Sequence, residues 1–320
     1  MRFLRKRTSP GTPEVSIILL DWSVRESFHT LEYLGRQRVE RSRFEVVWIE
    51  FYGREAGGLK EMIRRNESAG VPPPVDTWIV MDNDTSECYH KHVMYNAGII
   101  NSSGRITVVL DSDAIVRPTF VGTVMKEFEK DPGPALHFEQ IRNFDRRFYP
   151  FNYPSVDEIT GDGCVNAKDG VPVGFNETAT SLKDDPGLWH VYNYGACLCA
   201  KRDDLIRTGG ADEHADYLGH ICGPYEMTAR LINAGVRDRL HLTHFLYHVW
   251  HPNQGGENDY CGPNNGKGMS TTAMEIPATG RVLPLKENSG IRELRLKREA
   301  RNFLVSKGAE RESAAARTFE

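Results

Sequence analysis

The strongest chemical signal in the 320-residue sequence is a pair of aspartates separated by one residue. Asp111-Ser112-Asp113 comes directly after the apolar run RITVVL, and Pro118 follows a few residues later. Two carboxylates at this spacing can share Mg²⁺ or Mn²⁺, which in proteins take one or two carboxylates together with substrate phosphate oxygens. The pattern alone recurs by chance. Its position between a buried strand and a helix that begins at Pro118 predicts a metal and nucleotide site.

Three more carboxylates stand at the ends of predicted strands, namely Asp21, Glu50 and Asp84. Ligands of open parallel sheets bind beyond the carboxyl ends of the strands, so we expect these side chains and Asp111 to contact a bound nucleotide. A carboxylate at one such position is often only a helix N-cap. A series of four is harder to explain by capping alone.

Apolar runs and amphipathic stretches alternate along the first half of the chain and predict the elements that position these residues. Strands are predicted at 15–20, 44–51, 77–81 and 105–110, and helices at 25–38, 59–67, 89–101 and 119–130. The alternation indicates an α/β fold with a mainly parallel central sheet flanked by helices. We expect a flexible segment at 1–12, one domain over 13–270, and a helical extension and tail over 271–320.

Composition restricts the class of protein. The net charge of -4 gives no general attraction to nucleic acid. The sequence contains no run of eighteen apolar residues, so we expect no transmembrane segment. The basic start lacks the apolar stretch of a signal peptide. Peripheral contact with a membrane stays an open alternative. The six cysteines form no CxxC pair. We therefore expect all six to be reduced in a cytoplasmic protein.

Five segments resemble successive parts of the family 2 glycosyltransferases of the GT-A type: PEVSIILLDWSVRESFHTLEYLGRQ, FEVVWIEFYGRE, YNAGIINSSGRITVVLDSDAIVRP, NYGACLCAKRDDLIRTGGADE and YEMTARLINAG. They cover roughly residues 13–251. The resemblance implies the GT-A fold and the transfer of a hexose-type sugar from a nucleoside diphosphate, which we expect to be UDP. The acceptor would be a hydroxyl of a glycan or another molecule, and the cofactor Mn²⁺ or Mg²⁺.

The resemblance also implies roles for individual residues. Glu50 takes the place of an acidic residue that reaches the pyrimidine, with Asp21 beside it. Asp111 and Asp113 would bind the metal, and Asp111 would also face the nucleotide. In related transferases a histidine after the acidic helix completes the metal site, and His251 or His248 is the candidate here. The alternative for each histidine is a core or surface position without a ligand.

One departure from the family concerns the catalytic base. The acidic helix of the family usually begins with an Asp/Glu pair, but this chain has Gly223-Pro224 there. Glu226, one turn later, and Asp216 are the remaining candidates for the base. The alternative for Glu226 is a pair with Arg230 at i+4.

Two other functions fit parts of the pattern. A sugar-1-phosphate nucleotidyltransferase should have a glycine-rich loop after the first strand, but no glycine follows Leu20 before Gly35. A non-catalytic nucleotide-sugar-binding protein would explain the missing acidic pair. The aromatic cluster Trp189, His190, Tyr192 and Tyr194 is a candidate platform for stacking on the acceptor sugar.

Overall fold

The structure is a computed structural model that describes residues 1–8, 11–21, 28–131, 133–173, 196–219, 223–252, 260–266 and 270–317, with backbone alone at 277–278 and 304–317. Its central feature is an eight-stranded sheet in the order β1-β4-β3-β2-β5-β9-β6-β10. Strands β1 and β9 run antiparallel to their neighbours and the other strands are parallel, which confirms the expected α/β architecture. The strands are β1 Arg2–Arg5, β2 Val15–Leu20, β3 Phe44–Tyr52, β4 Thr77–Asn83, β5 Ile106–Leu110, β6 Ala135–Asn143, β9 Cys197–Lys201 and β10 Asp238–Val249, and a separate hairpin pairs β7 Ala167–Lys168 with β8 Val171–Pro172.

Helices cover both faces of the sheet, because buried strands such as VSIILL present apolar side chains on each side. One core cluster packs against α1, α2, α4 and α5, and the other against α3, α6, α7 and α9. The helices are α1 His29–Gly35, α2 Gly57–Ser68, α3 Lys91–Asn101, α4 Phe120–Lys130, α5 Val156–Thr160, α6 Arg202–Arg207, α7 Tyr225–Asn233, α8 Thr271–Thr279 and α9 Ser289–Arg317.

The strand register brings the predicted site residues to one edge of the sheet. Leu20 pairs with Ile49, and Leu19 pairs with both Trp48 and Leu110. The residues that follow these strands therefore leave the sheet side by side. Asp21 continues the contact by donating its amide to the carbonyl of Ile49 at 2.7 Å.

Directly after β5 the chain crosses toward β10, the edge strand of the sheet. The amide of Ile115 donates to the carbonyl of Tyr247 at 2.7 Å, and the Tyr247 amide donates back at 2.9 Å. This antiparallel bridge carries the segment that contains Asp113 over to strand β10. Between these two strands, β9 pairs with β6 only through Leu136 and Cys199 in the part of the chain that the structure describes.

Several elements differ from the sequence expectations. Arg2–Arg5, within the segment expected to be flexible, form an edge strand paired with β4. Strand β6 was not expected, because HFEQIRN mixes charged and apolar residues without the alternation of a half-buried strand. No helix among the described residues is both long and apolar enough to cross a membrane.

The expectation that all six cysteines are reduced is wrong for one pair. Cys88 and Cys261 form a disulfide with their Cα atoms 6.4 Å apart, whereas Cys164, Cys197 and Cys199 are free thiols. The two cysteines are 173 residues apart in the sequence, so no local spacing of cysteines predicts the bond. Stable disulfides are typical of oxidising compartments, and the inference of a cytoplasmic protein loses the basis it had in reduced cysteines.

Helix α3 lies so close to β2 that only a glycine fits at position 98. A Cβ atom there would stand 2.6 Å from Cγ2 of Ile18. We expect Gly98→Ala to lower the free energy of unfolding by about 1–3 kcal/mol, because overpacking a filled core forces its neighbours to move. Gly57→Ala is the control, since nothing lies within 4 Å of a Cβ added there. Urea unfolding of both variants tests this, and equal stability would show that the contact yields easily.

Candidate metal and nucleotide site

Asp113, His248 and His251 converge at the end of β10. The Oδ2 atom of Asp113 lies 3.1 Å from Nε2 of His251 and 3.4 Å from Nε2 of His248. The two Nε2 atoms are 3.0 Å apart, and all three side chains are buried. The structure thus joins the second aspartate of the motif to both histidines that the sequence offered as alternatives. These three residues could hold a metal ion.

The spacing of the three ligand atoms fits one cation. Ligands that stand at right angles, about 2.1 Å from an ion, are about 3 Å from one another. Nδ1 of His251 lies 2.9 Å from the Pro252 carbonyl, so a proton on Nδ1 donates to that oxygen and Nε2 keeps its lone pair for a metal. Mixed carboxylate and imidazole ligands suit first-row divalent ions such as Mn²⁺.

Helix α1 holds the aspartate loop in place from the opposite side. Nε2 of His29 lies 2.7 Å from the Asp113 carbonyl oxygen. The Thr30 hydroxyl is within hydrogen-bonding distance of the carbonyls of Ser112 at 2.6 Å and Ala114 at 2.8 Å. His29 and Thr30 are themselves buried, so the carboxylate of Asp113 is positioned by a rigid support.

Asp111 stands apart from the three residues of the metal cluster. Its Oδ1 atom lies 4.0 Å from the ammonium of Lys91, at the first residue of α3. Lys91 is almost fully buried. A buried cation beside Asp111 opposes a metal ion bound directly to the same carboxylate and instead favours contact with the diphosphate.

Asp21 and Glu50 lie side by side at the ends of β2 and β3. Oδ1 of Asp21 pairs with Arg54 at 2.9 Å, and the Tyr89 hydroxyl donates to the Asp21 carbonyl. Oε1 of Glu50 accepts from the Ala56 amide at 2.9 Å and from the Trp78 indole at 3.2 Å. Both carboxylates are thus ordered at the expected edge of the sheet.

The second oxygen of Glu50 distinguishes this side chain. Glu50 is fully buried, and its Oε2 atom has no hydrogen-bond partner among the described residues. Burial raises the pKa of Glu50 above its ordinary value, although the bond from Ala56 opposes the shift. A buried acceptor left in this state is costly unless a ligand satisfies it.

Asp84 lies in an exposed turn rather than in a pocket. Its Oδ1 atom accepts from the Ser86 amide at 2.8 Å, and hydrogen bonds from the side chain and the amide of Ser86 lower the pKa of the carboxyl. The geometry is that of a carboxylate that stabilises a turn, and the nucleotide role of Asp84 stays a prediction.

Glu226 lies at the start of α7 with both oxygens engaged. One oxygen pairs with the guanidinium of Arg230, and the other accepts from the Asp212 amide at 3.1 Å. Burial raises the pKa of Glu226, while the charge of Arg230 opposes the shift. The i,i+4 alternative considered from the sequence describes these contacts, and a role as the base would require breaking them.

Asp216 is also engaged through both oxygens. Oδ1 accepts from the Ser270 hydroxyl and Oδ2 contacts Nδ1 of His214. Ser270 in turn caps α8, so this cluster ties the C-terminal helices to the domain. The aromatic cluster proposed as an acceptor platform, Trp189, His190, Tyr192 and Tyr194, lies outside the described residues.

Sequence reasoning missed one group near this edge. Glu139 on β6 is fully buried, and the stretch HFEQIRN that contains it mixes charged and apolar residues without a recognisable pattern.

No protein-family model matches the sequence, and no curated protein matches it. Solved structures do match its fold. The crystal structure of S. aureus TarS aligns at a TM-score of 0.51 and 12% identity, over 75% of this chain and 37% of TarS. S. aureus TarS 1-349 in complex with UDP-GlcNAc aligns at 0.52 and 12% identity, over 78% of this chain and 62% of that one. The chain has the GT-A fold.

A third match, the mannosyltransferase PcManGT from Pyrobaculum calidifontis, aligns at a TM-score of 0.49 with 14% identity over 81% of this chain and 63% of that one. Within the GT-A fold, the site described above occupies the carboxyl-terminal edge of the parallel strands. Ligands of open α/β sheets bind at this edge. Because this chain spans 37% of full-length TarS, the likeness concerns the fold and not the whole of that protein.

The metal cluster predicts a specific loss of Mn²⁺ binding. Asp113→Asn, His248→Ala and His251→Ala each remove one ligand, and we expect each to weaken Mn²⁺ binding by at least about 100-fold, since even outer-shell changes cost 10–100-fold. Asp84→Asn, an exposed carboxylate, is the control and should bind Mn²⁺ like the wild type. Calorimetric titration with Mn²⁺ measures both. Unchanged binding by Asp113→Asn would remove this cluster as the metal site.

The contacts of Glu226 predict a stability effect. Glu226→Gln removes one of the two buried carboxylates that pair with Arg230, Asp212 being the other, and we expect the free energy of unfolding to fall by about 3 kcal/mol. Glu293→Gln breaks an exposed i,i+4 pair with Lys297 on α9 and should leave stability unchanged. Urea denaturation compares the two. An unaltered midpoint for Glu226→Gln would count against the structural role.

Proposed function

We propose that the protein is a metal-dependent glycosyltransferase that uses a UDP-sugar as donor. The observation that carries the proposal is the cluster of Asp113, His248 and His251 beside Asp111 and Lys91, at the ligand-binding edge of a GT-A sheet. A nucleoside diphosphate brings two phosphates to the same edge. Carboxylate, imidazole and ammonium groups are there to hold a cation and a diphosphate together.

The choice of uridine rests on Glu50 and Asp21. Oε2 of Glu50 makes no hydrogen bond of normal geometry to the described residues and can accept from the N3–H of uracil, although the Trp48 indole already interacts with this carboxyl group. Guanine offers donors in a different geometry and is a larger base. TarS, which shares the fold, was crystallised with UDP-GlcNAc, but at 12% identity that complex does not choose the donor of this chain.

The reaction places different demands on the two sides of the site. A divalent ion held by Asp113 and the two histidines would act as a Lewis acid on the leaving diphosphate. Lys91 adds a fixed positive charge beside Asp111, where the charge of the diphosphate grows as the glycosidic bond breaks. The acceptor would be the hydroxyl of a glycan or another molecule, as expected from the sequence.

One observation favours the non-catalytic alternative. Both carboxylates proposed as the base from the sequence, Glu226 and Asp216, have their oxygens engaged in structural contacts. A protein that binds nucleotide sugars without transferring them would tolerate this arrangement. Release of UDP from UDP-sugars in the presence of Mn²⁺ separates the two functions, because a binding protein should release none.

The nucleotide assignment is tested by titrating UDP and GDP in the presence of Mn²⁺. We expect UDP to bind more tightly, and Glu50→Gln to weaken UDP binding by about 1.5–3 kcal/mol, roughly 10–100-fold in Kd, because one hydrogen bond to a charged group is lost. Glu45→Gln is the matched control, a buried glutamate at the opposite end of the same strand. Metal-independent binding, or equal affinity for GDP and UDP, would contradict the proposal.

A further inference from the structure

Glu139 on β6 is a buried carboxyl group with one unused oxygen. Its Oε1 atom accepts from the Gln140 amide at 2.8 Å, whereas Oε2 has no hydrogen-bond partner in the described ranges. Burial raises the pKa of Glu139 to about 8, and the nearby charge of Arg142 only partly opposes this. Buried polar atoms in folded proteins are nearly always paired, so an orphan of this kind needs an explanation.

The sheet places Glu139 on the face and at the level of the nucleotide edge. Leu136 and Phe138 belong to the core cluster on one face of β6, and Ala135 to the cluster on the other. Alternation along the strand places Glu139 on the face of Ala135, which α3 and α7 cover, whereas Ile141, nearer the end of the strand, packs in the first cluster. Val109 of β5 packs in the same cluster, so Asp111, two residues later, leaves the strand on this face too.

The register sets the distance between these two carboxylates. Continuing the Leu136–Cys199 pairing by three residues brings Glu139 opposite Ala196, whose carbonyl accepts from the Asp111 amide at 3.0 Å. Two strand spacings then separate the backbone of Glu139 from that of Asp111, on the order of 10 Å, with β9 between them. A sugar ring bound to the diphosphate would have to extend past Ala196 on this face of the sheet to reach Glu139.

At this level of the sheet, strands β9 and β6 move apart. β9 and β6 pair only once in the described structure, and beyond that point the ring of His137 reaches across, with Nδ1 2.9 Å from the Cys197 carbonyl. Helix α7 packs against β6 on this face and begins after Gly223-Pro224, where no carboxylate is available. Glu139 is therefore a carboxyl group below the helix that lacks its usual acidic start.

We propose that Glu139 is the catalytic base that takes the proton of the acceptor hydroxyl. As the acceptor oxygen forms its bond to the anomeric carbon, the bond from that carbon to the diphosphate oxygen breaks, and the diphosphate leaves with the electron pair. The hydroxyl proton passes to Oε2 of Glu139, which ends the step as a neutral acid and later returns the proton to water. This inference rests on the proposed transferase function.

The environment of Glu139 suits this task. A base is most effective when its pKa lies near the operating pH, and burial has moved this carboxyl in that direction. A bound acceptor hydroxyl would also supply the donor that Oε2 lacks. Glu226 and Asp216, in contrast, would each have to break a contact within the protein before accepting a proton.

The test compares Glu139→Gln with Glu226→Gln in the full-length protein. The readouts are UDP binding with Mn²⁺ by calorimetry, the thermal unfolding midpoint, and the rate of UDP release from UDP-glucose, UDP-galactose and UDP-N-acetylglucosamine, with water as the acceptor. We expect Glu139→Gln to keep its unfolding midpoint and UDP affinity and to lose about 10²–10⁴-fold in rate. Glu226→Gln should lose stability but keep its rate well below its unfolding temperature.

The outcomes separate this inference from the proposed function. Wild-type protein that neither binds UDP with Mn²⁺ nor releases it overturns the transferase itself. Active wild type with an equally active Glu139→Gln variant overturns the role of Glu139 alone. Glu139→Asp, which keeps a carboxylate on a shorter side chain, should recover part of the rate. If Glu139→Asp is instead as slow as Glu139→Gln and has a lowered unfolding midpoint, Glu139 has a structural role.

Discussion

The backbone bridge between Ile115 and Tyr247 is the constraint on which the site depends. The two hydrogen bonds carry the loop of Asp113 across to the end of β10, where His248 and His251 stand. The candidate metal site thus joins Asp113 to histidines that follow it by 135 and 138 positions, and this pair of main-chain contacts acts together with the support from His29 and Thr30.

The same crossing explains why the two aspartates of one short motif differ in environment. Asp111 directly follows β5, its amide donates to the Ala196 carbonyl, and its side chain lies 4.0 Å from the ammonium of Lys91. Asp113, two residues later, belongs to the group around β10. One turn of chain therefore divides the site into a side with an ammonium group and a side with imidazoles, which is a suitable arrangement for a ligand that carries both a sugar and a diphosphate.

The sheet and part of the candidate site could be predicted from the sequence, because some of their residues carry signals that are visible in the local sequence. Short β-branched runs and the strand-end position of Asp113 are local signals, and His251 stands where an apolar run ends. The contacts of Lys91, the Cys88–Cys261 bond and the unused oxygen of Glu139 arise from pairing across the sheet, which local spacing does not contain. Glu226 was a candidate for the base because it stands one turn after Gly223-Pro224, whereas its buried pair with Arg230 depends on how the helix packs in the fold.

The reversed direction of β9 has a consequence for how this fold can diversify. A parallel strand ends at the nucleotide edge, whereas the antiparallel β9 begins there, at Cys197. Strand β6 ends at the same edge, at Asn143. Asn143 and Cys197, where the long segment between these two strands begins and ends, therefore lie beside the site. The length and sequence of this segment can change while the eight strands keep their order, so the surface beside the site can vary without altering the sheet.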